Sequence, residues 1–167
     1  MPLQVVALFD TFNRLQVLTY PDNDTVVTYR YDSGGLVRLV SGTDSNTSDV
    51  YAPRVDYDKF GQKLLVDFGN GARSTYAYDD KTRRITSVKA SLPNGYTFHD
   101  LAFSYDAVGN LKELQNKAIP PGDFPGPGLG NAIGGPWTKS YAYDQLYRMT
   151  TSAGQHVTNP NEVSTYS

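Results

Sequence analysis

Aspartate recurs at one position of a short pattern along the chain, and paired carboxylates are the groups with which glycosidases cleave a sugar bond. The pattern contains Phe9-Asp10, Tyr31-Asp32, Tyr57-Asp58, Tyr78-Asp79, Tyr105-Asp106 and Tyr143-Asp144. A catalytic pair needs two carboxylates in different surroundings, because one is protonated while the other is ionised. These aspartates occupy equivalent positions, so we interpret them as turn residues whose carboxylates accept backbone N–H groups. We therefore expect no catalytic residue and no enzymatic activity.

Two clusters of short polar residues are typical of calcium ligands, namely Asp22-Asn23-Asp24 and Asp44-Ser45-Asn46. A calcium loop beginning at Asp44 would have Asp49 where glycine is needed and Val55 where glutamate is needed. Solvated turns explain both clusters better. His99 and His156 are far apart in sequence, and the absence of cysteine excludes disulfides and thiolate metal sites. We therefore predict no metal and no cofactor.

The residues around each aspartate predict a β-hairpin. Large residues stand immediately before the aspartate and, in most cases, two residues earlier, so that both share one face of a strand. These repeat aromatic residues are Phe9, Tyr29, Tyr31, Tyr57, Tyr76, Tyr78, Phe103, Tyr105, Tyr141 and Tyr143. Three residues after the aspartate comes Gly35, Gly61 or Gly109, or Asn13 in the first hairpin. A type I turn closed by a left-handed residue with a β-bulge needs such a residue.

Two of the turns have neither glycine nor asparagine at the left-handed position. Thr82 stands there in the fourth hairpin and Tyr147 in the sixth. Side chains of these kinds disfavour the left-handed conformation. We therefore expect the fourth and sixth turns to be longer or distorted.

Reversal signals between the hairpins predict a long antiparallel meander. They are Pro21-Asp22-Asn23, Gly69-Asn70-Gly71 and Pro93-Asn94-Gly95. A three-residue loop at 69–71 pairs Phe68 with Ala72 and keeps apolar residues on one face. The 15 Asp against 2 Glu, together with 13 Tyr, favour strands and turns over helix. The expected fold class is all-β, with almost no helix.

The expected domain organisation is a single array of hairpins over residues 1–167. Residues 118–137 contain 5 Pro and 6 Gly, which prevents regular structure and predicts an inserted loop. A linker between domains is the alternative. The loop is preferred because the pattern resumes at Tyr141, Tyr143 and Asp144.

Charge and hydropathy exclude several kinds of partner. The formal net charge is -2 and no long run of one sign occurs, so nucleic acid and anionic lipid are not expected partners. No window approaches the roughly 18 uninterrupted apolar residues of a membrane span. The opening MPLQVVALFD lacks the basic start and cleavage site of a signal peptide, so we expect no targeting signal in this segment.

The Y-D-x-x-G pattern, followed by arginine or leucine, resembles that of the Rhs/YD-repeat proteins. The segments VDYDKFGQKLLVDFGNGARSTYAYDDKTRRI, FSYDAVGNL and YAYDQLYRM are especially similar to the B and C components of bacterial insecticidal Tc toxin complexes. The resemblance implies that the hairpins form a curved or spiral strip of a larger hollow shell. In bacterial toxins of this family the shell encloses a C-terminal cytotoxic segment.

The function implied by the resemblance is structural: a piece of shell that encapsulates a toxin effector. Its partners would be the remainder of the parent YD-repeat shell and the enclosed C-terminal effector, in a secreted or cell-surface protein. The alternative is a carbohydrate-binding or cell-surface adhesion module, because tyrosine rings stack on sugars and related animal teneurins act in adhesion. Glycans are the partners that this alternative predicts.

Overall fold

The computed structural model describes residues 4–21, 25–44, 46–119, 135–159 and 162–166, and these ranges contain strands and turns but no helix. The strands are β1 (Val6–Phe9), β2 (Leu15–Thr19), β3 (Val26–Tyr31), β4 (Val37–Thr43), β5 (Ser48–Ala52), β6 (Arg54–Tyr57), β7 (Lys63–Asp67), β8 (Arg73–Tyr78), β9 (Ile85–Ser91), β10 (Thr97–Tyr105), β11 (Leu111–Asn116), β12 (Trp137–Tyr143), β13 (Met149–Asn159) and β14 (Glu162–Tyr166). The all-β fold of consecutive antiparallel hairpins is confirmed.

The strands follow one another in chain order within two sheets. One sheet has five strands, β1 to β5, and the other has nine, β6 to β14. Each predicted aspartate lies between the two strands of one hairpin. The register shifts by a β-bulge at the residue before the aspartate, at Phe9, Tyr31, Tyr57, Tyr105 and Tyr143. This shift places one extra residue in the second strand, Gln16 in the first hairpin and Arg38 in the second, and it is separate from the bulge that the turn predicts at its left-handed residue.

The break between the two sheets was not predicted. Pro53 separates β5 from β6, and proline has no N–H with which to continue a ladder of hydrogen bonds. β5 pairs with β4, from Val40↔Ala52 to Thr43↔Ser48, and β6 pairs with β7. The strand β5 follows the turn at Asp44, which the sequence indicated as a solvated turn but not as one of the reversals between hairpins.

The chain divides into two compact units, Met1–Arg73 and Ser74–Ser167. Few side chains of the described residues are buried, and no large side chain is fully enclosed. The buried hydrophobic residues are Val27 and Val66 in the first unit with Ala72, and Ala90 and Ala118 in the second. Many apolar side chains are exposed, among them Leu8, Phe12, Phe60, Val108 and Leu146. Each unit is therefore an open sheet structure with little core of its own.

Two loop predictions can be compared with the structure. The three-residue loop at 69–71 is confirmed, since the N–H of Phe68 donates to Ala72 O at 2.8 Å and the N–H of Gly71 donates to Phe68 O at 2.9 Å. Of the predicted insert 118–137, residues 120–134 lie outside the described residues. β12 begins at Trp137, so the last residue of the predicted insert belongs to a strand.

Within the described ranges, the structure contains no helix of the length and hydropathy that a membrane crossing requires.

Candidate functional site

The aspartate carboxylates accept hydrogen bonds from backbone N–H groups of the turns that follow them. In the first turn, Asp10 Oδ1 accepts the N–H of Phe12 at 2.9 Å and the N–H of Arg14 at 3.0 Å. In the last, Asp144 Oδ1 accepts the N–H of Leu146 at 2.8 Å and that of Arg148 at 3.0 Å. Equivalent bonds are made by Asp32, Asp58, Asp79 and Asp106. Each carboxylate thus replaces water at N–H groups that the strands leave unpaired.

These hydrogen bonds favour the ionised carboxylates. The guanidinium of Arg14, followed by its backbone N–H, lowers the pKa of Asp10. The backbone N–H of Arg148, followed by its guanidinium, lowers the pKa of Asp144. The backbone N–H and the hydroxyl of Thr82 lower the pKa of Asp79. A lowered pKa is the opposite of what a general acid near neutral pH needs.

The left-handed residues show one correct expectation and one wrong one. Asn13, Gly35, Gly61 and Gly109 have φ of 60°, 84°, 78° and 103°. The fourth turn is longer by one residue, as Thr82 predicted, because the N–H of Asp79 donates to Arg84 O and Arg83 takes φ 61°. The sixth turn is not longer. Tyr147 itself takes φ 62° within the standard bonds of Asp144 to Arg148, so the prediction for this turn was wrong.

Three of the tyrosines that precede an aspartate donate a hydrogen bond to the preceding hairpin. The hydroxyl of Tyr31 donates to Leu15 O at 2.6 Å, that of Tyr57 to Val37 O at 2.8 Å, and that of Tyr143 to Leu111 O at 3.0 Å. Each acceptor lies five residues after the aspartate of the preceding hairpin. Burial raises the pKa of Tyr57, to which the charge of Asp32 adds. A hydroxyl that bonds between hairpins explains why the pattern prefers tyrosine, and the sequence alone did not reveal it.

These tyrosines lie beside the same position of the preceding hairpin. The Tyr31 ring centroid is 4.4 Å from Cζ of Arg14, which lies four residues after Asp10. The Tyr143 hydroxyl donates to Leu111 O, next to Asn110, which also lies four residues after its aspartate. We call the residue four positions after each aspartate, such as Arg14 or Asn110, the platform residue. We call the contact between two consecutive hairpins a turn joint. The first hairpin contributes its aspartate, its left-handed turn residue and its platform residue. The next hairpin contributes the tyrosine before its aspartate and its left-handed turn residue.

Long platform side chains lie over the left-handed glycine of the next turn. A Cβ added to Gly35 would be 3.4 Å from Arg14 Nη1, and one added to Gly61 would be 3.7 Å from Leu36 Cδ1. A Cβ added to Gly109 would be 1.8 Å from Nη2 of Arg84, the equivalent residue in the longer fourth turn. Glycine therefore serves two purposes at Gly109, since it permits the positive φ and leaves room for the guanidinium.

The sixth turn shows the opposite combination. Its left-handed residue is Tyr147, and the platform residue before it is the short Asn110. The Asn110 side chain is turned back to its own turn, donating from Nδ2 to Asp106 Oδ2 at 2.8 Å. A short platform residue leaves space for a side chain on the next turn, which accounts for the tolerance of Tyr147.

The guanidinium groups also contact the next tyrosine ring. Arg14 Cζ is 4.4 Å from the centroid of Tyr31, and Arg84 Cζ is 5.7 Å from that of Tyr105. Such contacts are attractive because the ring face is electron-rich. The structure thus brings Arg14 of the first hairpin against Tyr31 of the second, and Arg84 of the fourth hairpin against Tyr105 of the fifth. Among the described residues, no three His, Asp or Glu side chains converge as metal ligands.

Known proteins share this sequence pattern. The chain is 25% identical over 174 residues to the toxin subunit YenC1 of Yersinia entomophaga, an alignment that covers 91% of the chain and 16% of YenC1. It is 30% identical over 117 residues to YenC2 of the same bacterium, covering 60% of the chain and 10% of YenC2. The chain is similar to Tc toxin subunits. The predicted resemblance is therefore confirmed. Human Teneurin-4 is 27% identical over 158 residues, 85% of the chain and 5% of that protein.

Solved structures show the same fold. The crystal structure of TcdB2-TccC3-Cdc42 superposes with a TM-score of 0.79 at 24% identity, over 92% of the chain and 7% of that protein. The Photorhabdus luminescens Tc holotoxin pore gives a TM-score of 0.74 at 24% identity, over 90% of the chain and 7% of that protein. No family model matches the chain. The chain spans 16% or less of the length of the curated relatives described above.

Proposed function

We propose that the chain is a non-catalytic segment in the wall of an Rhs/YD-repeat shell, and that the shell encloses a C-terminal effector of the same parent protein in a bacterial toxin. The turn joint is the observation that carries the proposal. Its polar groups are directed at the neighbouring hairpin, as in the bond from Tyr143 to Leu111 O. A site built to attach one hairpin to the next produces a continuous wall. The similarity to the subunits YenC1 and YenC2 supports a toxin as the parent.

The exposed apolar side chains support the same proposal. Phe12, Phe60 and Leu146 are 77%, 59% and 70% exposed. Large exposed apolar surface is unusual in an independent soluble domain and marks an interaction surface. In the parent protein these faces would contact further hairpins or the enclosed effector, and the parent would be secreted or located at the cell surface.

The aspartates support a structural role over a catalytic one. Oδ1 of Asp106 accepts three backbone N–H groups, from Val108, Gly109 and Asn110. A carboxylate engaged in this way is held in the turn and is not directed at a substrate. We propose the same structural role for Asp10, Asp32, Asp58, Asp79 and Asp144 together with Gly35, Gly61 and Gly109.

The glycan-binding and adhesion alternative is not favoured. The hydroxyls of Tyr31, Tyr57 and Tyr143 already donate to backbone carbonyls, so they are not free to bind a sugar. Stacking platforms for sugars also need exposed ring faces, whereas these rings are partly buried.

Limited proteolysis of the parent polypeptide tests enclosure. We expect the segment downstream of the hairpins to resist protease in native buffer and to be digested once denaturant unfolds the wall. The matched variant carries Tyr31→Phe and Tyr143→Phe, which remove two joint bonds without removing a ring. We expect this variant to lose protection at a lower denaturant concentration. Digestion of the downstream segment in native buffer, at the rate of an unfolded control, would refute enclosure.

A further inference from the structure

Two turns between the hairpins contain asparagine followed by glycine, at Asn70-Gly71 and Asn94-Gly95. Asparagine loses ammonia readily before glycine, because glycine has no side chain to hinder its own backbone nitrogen. That nitrogen attacks Cγ of the asparagine, the Cγ–Nδ2 bond breaks, and ammonia leaves with the proton of the glycine N–H. Water then opens the resulting succinimide at either carbonyl, which gives aspartate or isoaspartate.

The two turns have the same geometry. The glycine N–H donates to the carbonyl of the residue that opens the turn, at 2.9 Å in 68–72 and at 3.0 Å in 92–96. The φ angles of the two glycines are 82° and 85°. In each turn Oδ1 of the asparagine accepts the N–H of the second residue after it at 3.0 Å. Asn70 and Asn94 are both exposed, so access of water does not distinguish them.

The hydrogen bond of the glycine N–H controls how often its nitrogen can react. While this N–H is donated to the carbonyl across the turn, the nitrogen cannot move onto Cγ of the asparagine. The reaction therefore proceeds through a local opening of the turn, and its rate follows the fraction of time that the turn is open. A contact that stabilises the closed turn lowers this fraction and slows the reaction.

The turn at Asn70 has an additional bond to a neighbouring strand. The N–H of Gly69 donates to Tyr51 O, in β5, at 2.9 Å. A Cβ added to Gly69 would be 1.8 Å from Val50 O, so the backbone of the turn lies directly against β5. Opening of this turn therefore requires that it also leave β5.

The turn at Asn94 has no equivalent donor. Pro93 occupies the position that Gly69 has in the other turn, and proline has no N–H. A Cβ added to Gly95 would meet nothing within 4 Å. The hydrogen bonds within the turn are therefore the ones that its opening breaks.

We propose that Asn94 is a deamidation site of the folded chain, and that the bond from Gly69 to Tyr51 O protects Asn70 from the same reaction. Aspartate at position 94 keeps an oxygen that can accept the N–H of Tyr96. Isoaspartate instead carries the main chain through its side-chain carbonyl, which adds one methylene to the turn between β9 and β10. The lengthened turn no longer has the geometry of the three-residue loop, so the adjacent pairing of β9 with β10 is weakened.

The test follows both asparagines in the full chain during incubation in mildly alkaline native buffer. Trypsin separates them, since Asn70 lies in the peptide 64–73 and Asn94 in the peptide 90–112. Tandem mass spectrometry measures the conversion of each amide to an acid and distinguishes aspartate from isoaspartate. The same chain unfolded in urea gives the reaction rate of each site without the fold.

Two variants remove the difference in local sequence between the turns. In Pro93→Gly both turns read Gly-Asn-Gly, and we expect position 94 to react about fivefold faster than position 70, the factor that one hydrogen bond gives. In urea the two positions of this variant should react at equal rates. In Gly69→Pro both turns read Pro-Asn-Gly and the donor to Tyr51 O is lost, so Asn70 should react as fast as Asn94.

Two results would overturn the proposal. Equal rates at positions 70 and 94 in the native Pro93→Gly chain would refute the protection by Tyr51 O, and this comparison does not depend on the folding of Gly69→Pro. Retention of the Asn94 amide in the native chain, over a time in which the urea-unfolded chain loses it, would refute the deamidation site.

Discussion

Replacing Gly109 by alanine measures the coupling between two consecutive hairpins. The substitution has two costs. A left-handed backbone costs an L-residue about 1–2 kcal/mol, and Gly109 has φ 103°. The new Cβ would also be 1.8 Å from Arg84 Nη2, so the guanidinium must move away.

The second cost follows from what Arg84 would lose. Its Nη2 donates to Val108 O at 3.3 Å, and its Cζ lies 5.7 Å from the Tyr105 ring centroid. Both contacts are partly exposed, and each is worth roughly 0.5–1 kcal/mol. We therefore expect Gly109→Ala to lower the free energy of unfolding by about 2–4 kcal/mol.

Gly95 provides the matched control. It occupies the left-handed position of the turn between β9 and β10, with φ 85°, and a Cβ there would meet nothing within 4 Å. Gly95→Ala should therefore cost only the backbone term, about 1–2 kcal/mol.

The assay is urea unfolding of the two single variants, of Arg84→Ala, and of the double variant Arg84→Ala/Gly109→Ala. Once Arg84 is removed, Gly109→Ala should cost no more than Gly95→Ala. The coupling between positions 84 and 109 should be about 1–2 kcal/mol. The reasoning fails if Gly109→Ala costs the same whether or not Arg84 is present.

Three further predictions concern the turns and their neighbours. Replacing a tyrosine of the turn joints by phenylalanine should cost about 1 kcal/mol of stability in thermal unfolding, because each hydroxyl donates to a carbonyl of the preceding hairpin. The variants are Tyr31→Phe, Tyr57→Phe and Tyr143→Phe. The control Tyr20→Phe, at an exposed position outside the turn joints, should cost less. Asp10, Asp79 and Asp144 have lowered pKa values in the folded chain, so the stability that they add is present above about pH 4 and is lost as the pH falls through those folded values. Asp144→Asn should therefore make the melting temperature depend less steeply on pH in this acid range. An unchanged slope would contradict the assignment. Gly69→Ala should cost roughly 1–3 kcal/mol in the same urea assay, because its Cβ would lie 1.8 Å from Val50 O. The control Gly34→Ala should cost less, because its Cβ would lie 3.3 Å from a carboxylate oxygen of Asp32.

The sequence predicted the hairpins because the determinants are local. An aspartate that accepts the next backbone N–H groups and a residue that tolerates positive φ lie within five consecutive positions, so turn type and register follow from short stretches such as 58–62. The three-residue loop at 69–71 followed from the same logic.

The contacts between hairpins could not be predicted from one sequence. The bond from Tyr57 to Val37 O joins residues twenty positions apart, and nothing local indicates where the hydroxyl is directed. The same limit explains the error at Tyr147, since its tolerance depends on the short Asn110 in another hairpin. β5 was missed because its neighbours Pro53 and Arg54 resemble a loop, whereas the pairing of β4 decides the outcome.

The order of the strands has a consequence for synthesis of the protein. In the described residues, each strand pairs only with strands adjacent to it in the sequence. Proteins dominated by local contacts nucleate quickly, because little chain entropy is lost before the first contacts form. Each hairpin can therefore fold as soon as it leaves the ribosome and can use the previous hairpin as its template. Growth in this direction would complete the early hairpins before any downstream segment is translated.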